Sequence, residues 1–175
     1  MAINQIENKA IELLEKTNSI SLPIPIKDII KKLGIKLSPY DLGSDVSGVL
    51  VIDNENSKIG YNSTESHVRQ RFTLAHELGH YILHKNKNQD VFVDNVTYMF
   101  RKSNTRSVDY KIEMEANQFA AAILMPGILI ERELNLLNTG DMSDHDLIVE
   151  LATKFKVSQI AMTYRLNNLG YFYDY

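Results

Sequence analysis

Cysteine is absent from the 175 residues. That removes disulfides and thiolate metal sites, and it fits a reducing compartment. No run approaches the roughly 20 consecutive apolar residues that a membrane span needs. The first residues, Met1 to Glu7, also lack the basic-then-apolar order of a secretory leader. Neither sign of charge dominates: 19 basic residues against 22 acidic ones leave a net charge of −3. No bulk attraction to nucleic acid or to an anionic membrane follows from that balance. These absences predict a cytoplasmic protein without a membrane partner. With 44% hydrophobic and 23% charged residues, the chain can bury one moderate core, with room for a small appendage.

What the sequence does contain is chemically specific. His76-Glu77-Leu78-Gly79-His80 is an H-E-x-x-H pentad. On a helix, residues four apart lie one turn above each other on the same face. Two imidazoles can then address one metal ion, with Glu77 beside the first. A zinc peptidase needs this set: two nitrogen ligands and a carboxylate able to take a proton from the attacking water. Phe72, Ala75, Leu78, Ile82 and Leu83 follow i, i+3, i+4 spacing and predict a buried amphipathic helix. Thr64 is its expected N-cap. The bland alternative makes the histidines ordinary helix residues and Glu77 a solvated charge. Buried His and Glu side chains need partners, however, and a metal supplies them.

A tetrahedral site with one position open to water needs a third protein ligand. His67 lies nine residues before His76, too far along the axis to share the ion. His84 continues the row beyond His80 and can neighbour the site. Three successive turns, however, spread over roughly 11–12 Å and cannot all reach one ion at about 2.1 Å. Glu113 and Glu115, at the start of a second apolar helix, are better candidates. Glu113 shares a stripe with Ala116, Asn117 and Ala120, small residues that permit close helix approach, and Asn117 can hydrogen-bond its carboxylate. Glu115 shares its side with Phe119 and Ala122. The face favours Glu113, while the alternative leaves both glutamates as solvated charges favoured by the helix dipole.

Around these motifs the chain reads as α+β. Ile3, Ile6, Ala10, Leu13 and Leu14 predict a first helix ending near Thr17-Asn18, and Pro23 and Pro25 enforce an extended connection. Ile26 to Leu33 is a short helix stopped by Gly34. Ile35 to Leu37 begins β structure. Residues Gly48 to Ile52 and Lys58 to Asn62 predict a hairpin around Asp53-Asn54-Glu55-Asn56. Val91 to Phe100 fits an edge strand or an ordered loop, and Ser103 to Ser107 an exposed loop. Helices follow over Val108 to Met125 and Ile128 to Leu137, and two more between Asp141 and Gly170.

Residues 71–80 and the segment from Glu113-Met114-Glu115-Ala116-Asn117 to Met125-Pro126 together resemble the ImmA/IrrE family of metallo-endopeptidases. The resemblance implies a zincin-like, gluzincin-like peptidase domain over residues 1–137. That domain would carry a small antiparallel sheet packed on helices, with a helix-turn-helix-like subdomain over 138–175 packed on it. It further implies that His76, His80 and Glu113 hold Zn2+ and that Glu77 is the catalytic base. The implied partner is a protein substrate: a DNA-binding helix-turn-helix repressor or antitoxin, cleaved to switch on transcription in a bacterial mobile genetic element or stress response.

Leu151 to Leu166 itself has a helix-turn-helix look, with Ala152, Val157, Ile160 and Leu166 at buried positions and Val157-Ser158 opening the second helix. Two features argue against direct nucleic-acid binding. Lys156 occupies the turn position where glycine usually relaxes the backbone, and the segment from Asp141 to Tyr175 has three basic residues against five acidic ones. Tyr110, Arg106, His84 and His145 are candidates for stabilising the oxyanion. A substrate strand is expected along a sheet edge near Val49 to Ile52. The competing functional reading is a non-proteolytic regulator that binds a repressor or DNA and uses the metal structurally. A weaker one is an amidase acting on a small substrate.

Overall fold

A computed structural model describes residues 3–53, 56–85, 91–95, 107–137 and 142–171, with backbone only for residues 3, 4, 93–95 and 107–109. In chain order the elements are α1 (Ile3–Lys16), α2 (Ile26–Lys32), β1 (Lys36–Tyr40), β2 (Val46–Val51), β3 (Lys58–Asn62) and α3 (His67–His84). They continue with β4 (Val91–Asn95), α4 (Ser107–Leu124), α5 (Gly127–Leu136), α6 (Asp144–Phe155) and α7 (Gln159–Asn168). The α+β class and the order of elements are those expected. Residues 96–100 and 101–106, where the end of the edge strand and most of the exposed loop were expected, lie outside the described residues.

Apolar spacing accounts for the outer helices. Ile6, Ala10, Leu13 and Leu14 of α1 are all buried; the side chain of Ile3 lies outside the described set. α2 buries Ile26, Ile29 and Ile30. It stops at Gly34, whose φ of +76° is a backbone state that costs a residue with Cβ but not glycine.

The four strands form one sheet in the order β1-β3-β2-β4. β2 pairs antiparallel with β3 and with β4, and Leu50 faces Ile59 on one side and Phe92 on the other. β1 joins β3 in parallel, so the sheet is mixed rather than antiparallel throughout. β2 lies between β1 and β3 in sequence but not in space, so β1 runs in the direction of β3. Both ladder sides of β2 are taken. The substrate edge expected at Val49 to Ile52 is therefore closed, because β4 covers it. Among the described residues, the open ladder sides belong to β1 and β4.

α3 packs against β2, β3 and β4 and also against α4, which in turn packs on α1. Residues 73–80 are consequently all buried. The helix begins two residues later than the expected cap. Ser66, not Thr64, is the N-cap, and its hydroxyl accepts from the Arg69 amide at 3.3 Å. Thr64 is drawn away by Asn62 Oδ1, which accepts from both its hydroxyl, at 2.8 Å, and its amide.

Gly79 sets the separation of α3 and α4. A Cβ there would lie 3.1 Å from the Ala116 carbonyl oxygen, 3.2 Å from Ala116 Cα and 3.3 Å from Phe119 Cβ. Alanine would gain about 1 kcal/mol of helix propensity. Overpacking costs about 1–3 kcal/mol, and the Ala116 backbone cannot rotate out of the way. Gly79→Ala is therefore expected to destabilise by ~1 kcal/mol net, lowering Tm by roughly 2–4 °C in a thermal melt.

The C-terminal pair turns at Lys156, whose φ of 53° is left-handed. The Ser158 hydroxyl then caps α7 by accepting from the Ala161 amide at 3.1 Å. Ala152, Val157 and Leu166 are buried as expected, but Ile160 is 70% exposed. α7 packs through Met162, Arg165 and Leu166 instead, and Ile160 faces away from them. Three charged side chains fasten this pair to the rest. Arg71 of α3 donates to the carbonyls of Ile24, Phe155 and Lys156. Arg165 donates to the Met125 carbonyl and to the Glu7 carboxylate, and Lys154 pairs with Glu133 of α5.

Candidate metal centre

The pentad lies on α3 as one face of a continuous helix. His76 Nε2 and His80 Nε2 are 2.9 Å apart. Glu113, from the first half of α4, brings Oε2 to 3.3 Å from His76 Nε2 and Oε1 to 3.4 Å from His80 Nε2. One ligand atom from each of the three residues falls within 4.8 Å of the others, a grouping that could hold a metal ion. Glu115, the alternative, is directed to His84, with Oε2 3.0 Å from His84 Nε2. His67 is exposed at the start of α3.

Electrostatics keep Glu113 in the form a metal takes. Burial raises its pKa, but hydrogen bonds with His76 and His80 and the charge on both rings outweigh that and hold it at about 2. Its folded-state value lies below the ordinary 4.5. While both rings are protonated, the stabilisation it contributes is complete above that pH and is lost as pH falls toward 2.

The surroundings also suit an ion. His76 Nδ1 lies 2.9 Å from Asn117 Oδ1. With the amide oxygen accepting the Nδ1 proton, a neutral His76 presents Nε2 as its metal-binding nitrogen. Asn117 was expected to bond Glu113. One turn farther along α4, it meets His76 instead. Two imidazole nitrogens and a carboxylate, with both rings buried, form the mixed donor set that zinc sites use.

Glu77 is fully buried and faces β2. The approach is close because residue 48 is glycine: a Cβ there would sit 2.9 Å from Glu77 Oε1 and 2.5 Å from Thr73 Cγ2. Thr73 is β-branched and stiff, so a larger residue at 48 would displace the strand or the carboxylate. Phe92 of β4 completes the sheet side, stacked on His80 with ring centroids 4.5 Å apart and planes at 25°. Neither Gly48 nor Phe92 stands out from the sequence as a site residue. A glycine inside a strand is a mark of close backbone approach, and that is the signal available for Gly48.

Of the oxyanion candidates, His84 is fully buried behind His80, which removes it from contact with substrate. Tyr110 is exposed on α4, His145 is exposed at the start of α6, and Arg106 lies outside the described residues. No helix among the described residues is long and apolar enough to cross a membrane.

Comparison with known proteins identifies the family. The peptidase family described as the IrrE N-terminal-like domain matches residues 30–167. Immunity region protein 2 of Bacillus phage phi105 is 30% identical over 132 residues, covering 75% of this chain and 76% of that protein. Metallopeptidase ImmA of Bacillus subtilis is 27% identical over 158 residues, covering 90% and 82% respectively. The radiation response metalloprotease IrrE of Deinococcus radiodurans is 34% identical over 114 residues, which cover 65% of this chain but 32% of IrrE. With more than half its length matched by the family, the chain belongs to the IrrE N-terminal-like peptidases, the family of the metallopeptidases ImmA and IrrE.

Proposed function

We propose that the protein is a cytoplasmic zinc-dependent endopeptidase whose substrate is a helix-turn-helix repressor or antitoxin of a mobile element or stress response. The observation that carries this reading is the convergence of Glu113 with His76 and His80, both histidines buried and carried by the helix that also holds Glu77. In this reading His76, His80 and Glu113 hold the ion. When bound, zinc supplies Lewis-acid chemistry, polarising the scissile carbonyl and acidifying a water. Glu77 takes the proton of the attacking water on its carboxylate and passes it to the leaving amide nitrogen. Gly48 holds that carboxylate in place by leaving room for it. An extended substrate segment pairs with the side of β4 that no described strand occupies, and Phe92 of β4 abuts His80.

The substrate class draws support from the relatives: one is named for the immunity region of a phage and another is called a metallopeptidase ImmA. Residues 138–175 are read as a packing subdomain rather than a DNA reader. The acidic balance of the segment and the engagement of Arg165 and Lys154 within the protein support that.

Where the neighbouring gene encodes a small DNA-binding repressor, the test is incubation of the zinc-loaded protein with that repressor. Discrete fragments are expected, abolished by a chelator and restored by added zinc. An intact repressor in the presence of zinc-loaded protein would contradict the proposal.

A further inference from the structure

Behind the candidate metal site, a buried file of polar groups runs away from the pocket. His80 Nδ1 lies 3.2 Å from His84 Nδ1, and His84 Nε2 lies 3.0 Å from Glu115 Oε2. His80, His84 and Glu115 are 1%, 0% and 5% exposed. Such a file is costly to bury unless each member has a defined partner.

We infer that His84 and Glu115 are positioning residues that fix the tautomer of His80, so that its Nε2 lone pair is the one turned toward the metal position. The inference rests on the reading of His76, His80 and Glu113 as metal ligands. It follows from counting protons. A neutral imidazole carries one N–H, and His80 can offer Nε2 to a metal only when that proton sits on Nδ1. His80 Nδ1 must then donate, so His84 Nδ1 must accept. That places the His84 proton on Nε2, where the partner must again accept. Glu115 as a carboxylate can only accept. With both rings neutral, as in the metal-bound protein, each assignment forces the next, and the carboxylate gives the file its direction.

Glutamine at 115 would keep the shape but lose the direction. Its amide can turn and donate to His84 Nε2. The file can then run backwards, with His84 Nδ1 donating to His80 Nδ1 and the His80 proton on Nε2, where it competes with metal. A purely structural carboxylate would show its loss in the melting of the metal-free protein instead.

The experiment measures the zinc dissociation constant by competition with a chromophoric chelator, for the native chain and for Glu115→Gln. Thermal melts of both metal-free forms accompany it. Zinc affinity is expected to fall by about 10–100-fold, as for other groups behind a metal ligand, with the melting temperature little changed. Equal affinities within twofold would overturn the inference while leaving the three-ligand site standing. A native chain that binds no zinc would overturn both. A second measurement needs no variant: nitrogen-15 NMR of the zinc-loaded native protein should find the His84 proton on Nε2, and a proton on His84 Nδ1 would overturn the assignment.

Discussion

Replacing Glu77 by Gln is expected to abolish peptide cleavage while leaving zinc bound. Glutamine has the same size and fills the same slot beneath Gly48, so the pocket keeps its shape. Removing a charge from a fully buried position does not threaten the fold. What disappears is the ability to accept a proton from water, and a positioned general base contributes about 10²–10⁴-fold. The drop in kcat should therefore be at least of that order, with zinc content per chain unchanged. Cleavage retained within tenfold would remove Glu77 from the mechanism.

Glu113→Ala is expected to be the most damaging single change to metal affinity outside the pentad, and more damaging than Glu115→Ala. Glu113 approaches both imidazoles within 3.4 Å, whereas Glu115 is directed to His84, the ring behind them. Loss of a direct ligand should exceed the roughly 10–100-fold cost of losing a supporting group. Zinc titration of both variants against a competing chelator gives the ranking. The reverse order would mean that the assignment by helix face is wrong.

Much of the candidate site is legible in the sequence because helical periodicity is local. His76 and His80 must share a face, and the small residues Ala116 and Ala120 mark the stripe of α4 that can approach α3 closely. What escapes depends on contacts between distant segments. The importance of Gly48 appears only when β2 lies over Glu77, and Phe92 reaches His80 only because β4 pairs with β2 rather than with β1. The same pairing closes the edge at Val49 to Ile52. Asn117 shares the stripe of Glu113, but its partner is chosen by a helix more than 30 residues earlier in the chain. Local hydrogen bonding decides the cap of α3, since either Thr64 or Ser66 could serve until Asn62 engages the first. Ile160 misleads because apolar character on a short helix does not reveal which face will be covered.

The proposed chemistry requires one ion in one place. Diffraction from zinc-loaded crystals, recorded on either side of the zinc absorption edge, should give a single anomalous peak per chain among His76 Nε2, His80 Nε2 and the Glu113 carboxylate. A peak bound elsewhere, or none at that position in zinc-saturated protein, would contradict it.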